Sequence, residues 1–331
     1  MKKIGLGVLI AFLIFVVYAI YVANTQIPLN ENHFTWTSPS VDHAKNQYTV
    51  LSANIGNSDW QCTPYKWKLC KKIVEARLAQ NIQTIKPDLV NLQEVLPPWR
   101  CESSPTTDPA QVCSEPQTVH QSRRVLGNDY TIVCDPRSGY ECIAVRKDAG
   151  AVDGCPLGEL CFTARTAPVE TDCDPGFSII AVTVRLNNGA VFDMVNAHPA
   201  SMSDSCRASM LRRAFTGDQL GEPVIQNPKV LITGDFNMDP WRSTDQSAKA
   251  WQEIFEKGWS GNGYRYLSGI AENDPPRYTF FFVYVRTLDV ALSNFATGIM
   301  SVMGETPGTP RLDGGSGNDH KALYGVLELT P

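Results

Sequence analysis

Three features of the chain predict an α/β domain behind one apolar helix. From Gln47 to the end, short apolar runs of strand character alternate with segments of helical periodicity. Several of the strand-like runs end in polar loops. An uncharged apolar run, Ile4 to Ala23, precedes them all.

Lys2 and Lys3 lead into that run, which is about 20 residues and roughly 30 Å long as a helix, enough to cross a bilayer. Cleavable signals have a shorter apolar core, about 7–15 residues, ahead of a small-x-small site. The one weak match is Ala23-Asn24-Thr25. An uncleaved anchor over residues 1–23 is therefore expected, with the lysines cytoplasmic and everything downstream exported. Cleavage would release the same domain in secreted form. Residues 24–46 are polar with scattered Pro and Ser and read as a stalk, leaving 47–331 as the folded domain.

Tyr48–Gly56 (YTVLSANIG) is a strand running into a polar loop. Trp67–Ile85 carries Leu69, Ile73, Val74, Leu78, Ile82 and Ile85 at helical spacing, and Pro87 ends it. Asp88–Val95 (DLVNLQEV) is a second strand. Pro97–Gly127 is rich in Pro, Ser, Thr and Cys and reads as a surface excursion tied by disulfides. Strands follow near Tyr130–Cys134 and Glu141–Arg146, then a second Cys-rich loop over Gly150–Gly176. Phe177–Leu186 and Ala190–Asn196 flank the hairpin turn Asn187-Asn188-Gly189. Ser203–Leu220 is helical, Val230–Ile232 is a buried strand ending in GDFN, and Thr244–Lys257 is helical. Further strands are expected at Tyr278–Tyr284, Thr287–Leu292 and Ala322–Leu329.

Ten cysteines lie between Cys62 and Cys206, an even number in a chain read as exported, so they are expected as disulfides of open connectivity. The formal net charge is −5 and no long basic run occurs, which argues against a sequence-specific nucleic-acid reader. An acidic surface does not exclude a phosphate substrate, since a bound cation dominates the local field.

Polar residues recur where strand patterns meet loops. Asn54 ends the first strand, and Glu94 follows Leu92-Gln93 in the second. His198 follows Val191–Asn196. Asp235 and Asn237 stand two apart in GDFNMDPWR, pointing the same way on an extended backbone. A carboxylate and an amide so placed suit a hydrated cation or a phosphate oxygen, and equally a capped turn. Asp289 sits inside an apolar segment, where an unpaired charge is costly, and Asp319-His320 precede the last strand. Of five histidines, only His198 and His320 occupy such strand ends.

The ordered set ANIG, LQEV, NAHPAS, GDFNMDP, TLDVALS and GNDHKALYGVLEL resembles the endonuclease/exonuclease/phosphatase superfamily, deoxyribonuclease I and the bacterial sphingomyelinases among its members. The resemblance spans about Gln47 to Pro331. It implies a four-layer sandwich, two packed β-sheets flanked by helices, with the site at one edge of the sheets. It implies that Glu94 and Asn54, with Asp319, bind a divalent metal, Mg²⁺ or Mn²⁺. His198 would be the general acid, and Asp235 and Asn237 would orient the phosphate. Asp289 matches the aspartate of that motif strand, and His320 would activate water. NAHP departs from the commoner NxHL form, and Asn318 stands where Ser often precedes Asp-His. Glu141 is the nearest match to a glutamate that orients the acid histidine, beside its ordinary reading as a solvated strand end. Arg146 is a candidate for substrate phosphate, or a strand-terminal charge. Trp241 is a candidate to stack on a base, touch lipid or pack in the core.

The function implied is a metal-dependent phosphodiesterase, with nucleic acid as substrate first and phospholipid (sphingomyelin) second. A phosphoinositide phosphatase comes third and a catalytically silent binding module last. The residue types fit such chemistry: hard oxygen ligands suit Mg²⁺ or Mn²⁺, and two histidines supply acid and base near neutral pH. The expected membrane contact is through residues 4–23, and no obligate protein partner is evident.

Overall fold

A computed structural model describes residues 12–16, 41–56, 72–103, 105–167, 172–174, 176–217, 221–238, 246–257, 263–268, 280–281, 285–286, 288–303, 320 and 322–331. The strands are β1 (Gln47–Asn54), β2 (Leu89–Gln93), β3 (Tyr130–Cys134), β4 (Cys142–Arg146), β5 (Gly150–Val152), β6 (Leu160–Cys161), β7 (Arg165–Thr166), β8 (Ser178–Leu186), β9 (Val191–His198), β10 (Val230–Asp235), β11 (Arg265–Tyr266), β12 (Phe280–Phe281), β13 (Val285–Arg286), β14 (Asp289–Ser293), β15 (Thr297–Val302) and β16 (Leu323–Glu328). One sheet runs β15-β16-β1-β2-β4-β3-β6, and the other runs β11-β14-β10-β9-β8-β5 with β7 on β8. Both are mixed: β1 is parallel to β2, β10 is parallel to β9, and their other neighbours are antiparallel.

Three apolar layers alternate with the sheets. Val50, Leu89, Ile143, Phe192, Met194, Leu231 and Leu323 fill the space between the two inner faces. The helix Lys72–Ile85 puts Leu78, Ile82 and Ile85 on the outer face of the first sheet, against Leu51, Val90 and Ile132. Each such side chain contributes roughly 1.5–3 kcal/mol by burial. The helix Asp204–Thr216 packs Met210, Leu211 and Ala214 on the outer face of the second, with Trp251 of the helix Gln246–Lys257. Helix, sheet, sheet, helix is the expected sandwich.

The helix expected from Trp67 is described from Lys72 onward, and the strand expected at Tyr278–Tyr284 lies outside the described residues apart from Phe280–Phe281. The edge strand β15 was not foreseen: Gly298, at φ 120°, and exposed Ile299 interrupt the alternation that marks a strand. The end of the segment expected as a stalk packs on the strands that follow it. His43 stacks on Tyr48 at 4.7 Å, its Nε2 lies 3.2 Å from buried Asp88, and Leu329 N donates to Asn46 O. Of the apolar run 4–23 only 12–16 is described, as helix with exposed Phe12, Leu13, Ile14 and Phe15. Among the described residues no helix is long and apolar enough to cross a membrane.

Four disulfides join Cys101 to Cys113, Cys134 to Cys142, Cys155 to Cys161 and Cys173 to Cys206, while Cys62 and Cys70 lie outside the described residues. Cys134 and Cys142 face each other across β3 and β4, and His120 lies beside them close enough to share a cation. The disulfide occupies both sulfurs. Burial holds His120 down to about 4, so its ring is neutral at pH 7.

Candidate active site

Along the inner faces each strand changes character toward one edge of the sandwich. The alternation gives Val50, Ser52, Asn54 on β1 and Leu89, Asn91, Gln93 on β2. It gives Met194, Asn196, His198 on β9 and Leu231, Thr233, Asp235 on β10. Apolar residues give way to amides and hydroxyls, and these to groups that titrate or bind ions.

The outermost residues meet. Asn54 Nδ2 donates to Glu94 Oε1 at 3.2 Å and to Asp235 Oδ2 at 3.1 Å, joining the two sheets. Its Oδ1 accepts from Gly56 N. Glu94 follows Gln93 directly, so strand alternation would send it to the opposite face. Its backbone turns left-handed instead, at φ 58°, a conformation that costs a non-glycine residue on the order of 1 kcal/mol. That turn coincides with its side chain reaching Asn54 and lying 3.8 Å from His198 Nε2.

His198 is buried. Its Nδ1 donates to Glu141 Oε1 at 2.9 Å, and Phe177 packs edge-on against its ring. Its Nε2 lies 3.8 Å from both Glu94 and Asp235 and has no hydrogen-bond partner. Burial alone would lower the imidazole. The Glu141 hydrogen bond and the charges of Glu141, Asp235 and Glu94 outweigh it and hold it above the usual histidine range. Burial pushes the Glu141 carboxyl up, opposed by the His198 hydrogen bond. Its other oxygen accepts from Ser178 Oγ at 2.8 Å and Ser138 Oγ at 3.2 Å. Glu141 is fully buried, so the solvated-strand-end reading is wrong for it.

Asp289 is the antiparallel partner of Asp235. His320 Nδ1 donates to Asp289 Oδ2 at 2.9 Å, and its Nε2 lies 3.3 Å from Asp235 Oδ2. Asp235, Asp289 and His320 offer ligand atoms within 4.8 Å of one another. Asp235 serves both readings of its motif: Oδ1 caps its own turn by accepting from Asn237 N at 2.8 Å, while Oδ2 faces the histidines. Asn237, left-handed at φ 50°, donates through Nδ2 to Pro199 O, next to His198. Gly234 permits the close approach of β10 to β9. A Cβ there, at φ 149°, would lie 2.1 Å from Ala197 O. Gly234→Ala is expected to cost about 3 kcal/mol, read from the denaturant midpoint; an unchanged midpoint would show the strand spacing to be soft.

Arg146 is a correction. It closes β4 at the end away from Glu141, where its guanidinium pairs with Asp88 at 2.7 Å and with Asp148, on the opposite edge of the sandwich. Five residues of extended strand separate the two ends, so it does not reach the site. Asp319 and Trp241 lie outside the described residues. The structure adds Asn91, Gln93, Asn196, Ser138, Ser178 and Phe177 around the site. The signal for the three amides was present: polar residues at period two inside otherwise apolar strands.

No protein-family model matches the chain, and no curated protein matches it. Solved structures do. A humanized D. rerio TDP2 is 16% identical with a TM-score of 0.52, over 85% of this chain and 99% of that one. An endonuclease/exonuclease/phosphatase family protein from Bacteroides thetaiotaomicron is 14% identical with a TM-score of 0.52, over 85% and 97%. ANGEL2, described as a 2',3'-cyclic phosphatase, is 13% identical with a TM-score of 0.52, over 86% and 96%. With its two mixed sheets, flanking helices and convergent edge, the chain has the endonuclease/exonuclease/phosphatase fold.

Proposed function

We propose that this chain is a divalent-metal-dependent phosphodiesterase, exported and tethered by residues 1–23, with a stalk over 24–46 and a catalytic domain over 47–331, cleaving nucleic acid by in-line attack of water. One observation carries the reading: two histidines, each bound through Nδ1 to a buried carboxylate, present Nε2 toward the same oxygen of Asp235, beside Glu94 and Asn54. The buried, unpartnered Nε2 of His198 fits a site that receives a further group. The 2',3'-cyclic phosphatase activity of ANGEL2 agrees with phosphoester chemistry on this fold.

Glu94 and Asn54, with Asp319, would hold Mg²⁺ or Mn²⁺, for which hard oxygen donors are the fitting set. The ion, when bound, supplies neutralisation of charge developing on the phosphate. His320, its tautomer set by Asp289, takes the proton of the attacking water at Nε2. His198, held protonated by Glu141, delivers a proton from Nε2 to the leaving oxygen. Asp235 keeps both rings in register, and Asn237 fixes the loop after His198 through Pro199.

The stalk supports a substrate from outside the tethering membrane. β1 enters at Gln47 and reaches the site only at Asn54, the last of its eight residues, or about 23 Å on. The alternative, a sphingomyelinase-type phospholipase C, draws support from an apolar rim. Trp99, Val119 and Phe162 are each about 44–45% exposed around the loop that carries Tyr140 and Glu141.

The test uses the full chain in mixed micelles containing sphingomyelin, with plasmid DNA added and both products followed. Nicking is expected with Mg²⁺, lost with EDTA, restored by excess Mg²⁺, and reduced about 10²–10⁴-fold in His320→Ala. Phosphocholine release without nicking would establish the lipid reading. Turnover of neither would overturn the nuclease and the sphingomyelinase together.

A further inference from the structure

One layer beneath the site, an amide network joins the sheets. Asn196 Nδ2 donates to Leu92 O at 2.8 Å and Cys142 O at 3.0 Å, and its Oδ1 accepts from Gln93 Nε2 at 2.5 Å. Asn91 Nδ2 donates to Val195 O and to Thr233 Oγ1, both at 2.8 Å. Asn91, Gln93, Asn196 and Thr233 are all fully buried. Leu92 is two residues before Glu94, Cys142 directly follows Glu141, and Asn196 is two residues before His198.

We infer that Asn196 is a positioning residue, a clasp that fixes the strand carrying His198 against those carrying Glu94 and Glu141. A buried apolar layer sets the distance between sheets by close packing but fixes their register only weakly, because its contacts are non-directional. Three hydrogen bonds from one short side chain to two strands set both distance and register. The clasp holds His198, with Asp235 on the adjoining β10, at its spacing from the Glu94–Asn54 half of the site. Its kinetic consequence rests on the phosphodiesterase reading; its structural one does not.

The test compares the full-length wild type with Asn196→Leu, which removes the clasp, and Met194→Ala. Met194 is buried on the same face of the same strand, one layer deeper and away from the site. Two readouts are taken well below the melting temperature. One is the low-field proton resonance of the His198 Nδ1–H donated to Glu141. The other is the turnover of bis(p-nitrophenyl) phosphate. Asn196→Leu is expected to lose the resonance and at least 30-fold in kcat with KM changed less than threefold. Met194→Ala should keep the resonance and stay within threefold in kcat despite its lower melting temperature. Asn196→Ser, which retains one hydroxyl donor, should fall between them and serves if the leucine variant does not fold. The clasp is overturned if the Asn196 variants keep both signals, or if Met194→Ala loses them equally. A wild type that shows the resonance but no metal-dependent turnover sinks the phosphodiesterase reading, and the resonance in the variants still decides the clasp.

Discussion

Glu141→Gln is expected to lower kcat about a hundredfold at pH 7.5 and to move the alkaline limb of the pH–rate profile to lower pH. The general acid must carry its proton, and the Glu141 carboxylate, accepting at 2.9 Å, does the most among the neighbouring acids to hold His198 above the usual histidine range against its burial. Glutamine matches the shape but removes the charge, so burial is opposed only by the more distant Asp235 and Glu94 carboxylates and the imidazole falls. The wild-type limb should therefore lie above the unperturbed histidine value of about 6.5, and the variant limb below the wild-type one. Stability follows the same sign. A folded-state value above the unfolded one contributes stability that is complete below about pH 6.5 and is lost as pH rises through the folded value. Melting curves from pH 5 to 9 should show the wild type losing that increment and Glu141→Gln lacking it. A variant whose alkaline limb stays put would remove His198 from the role of acid.

Asp289→Asn should cost more, about 10³–10⁴-fold in kcat, by analogy with a histidine held by aspartate in hydrolytic triads. The carboxylate can only accept, so it places the His320 proton on Nδ1 and leaves Nε2 as the base, facing the site. An asparagine amide turned toward the ring donates instead and reverses the tautomer. Asp289 is buried opposite Asp235, and an isosteric amide there also relieves repulsion between the two carboxylates, so the melting temperature should hold or rise. A stable variant with near-silent turnover is the expected pair of results. Turnover within tenfold of wild type would mean that His320 is not the base.

Most of the edge was legible because it is written in strand grammar. Asn54, His198 and Asp235 each stand at the end of an inward-facing series that starts apolar and turns neutral-polar before the site, and period two is a property of one strand read alone. Glu141 and Arg146 show where this grammar stops. Both bound β4 with charged side chains, and nothing local distinguishes a glutamate that will be buried against His198, Ser138 and Ser178 from an arginine that will pair with Asp88 across the sheet. Which end of a strand meets the site depends on its partners' directions. β4 runs antiparallel to β2, with Cys142 opposite Leu92 and Val145 opposite Leu89, so its start, not its end, lies at the edge that carries Glu94.

The same division holds for the amides. Their spacing marks Asn91, Gln93 and Asn196 as polar residues in apolar strands, but their partners are carbonyls and side chains 54 to 142 positions away across two sheets. By itself the sequence determined the α/β alternation, the inner and outer face of each strand, the presence of cysteines in even number and the residue types that converge. Tertiary structure alone decided which strand ends share an edge, which cysteines pair, that Glu94 turns back toward the site, and that Glu141 orients His198 while Arg146 does not reach it. The physical reason is range: periodicity and turn chemistry act over a few residues, whereas pairing, burial and the electrostatics of a site are set by groups that only the packed sheets bring within hydrogen-bonding distance.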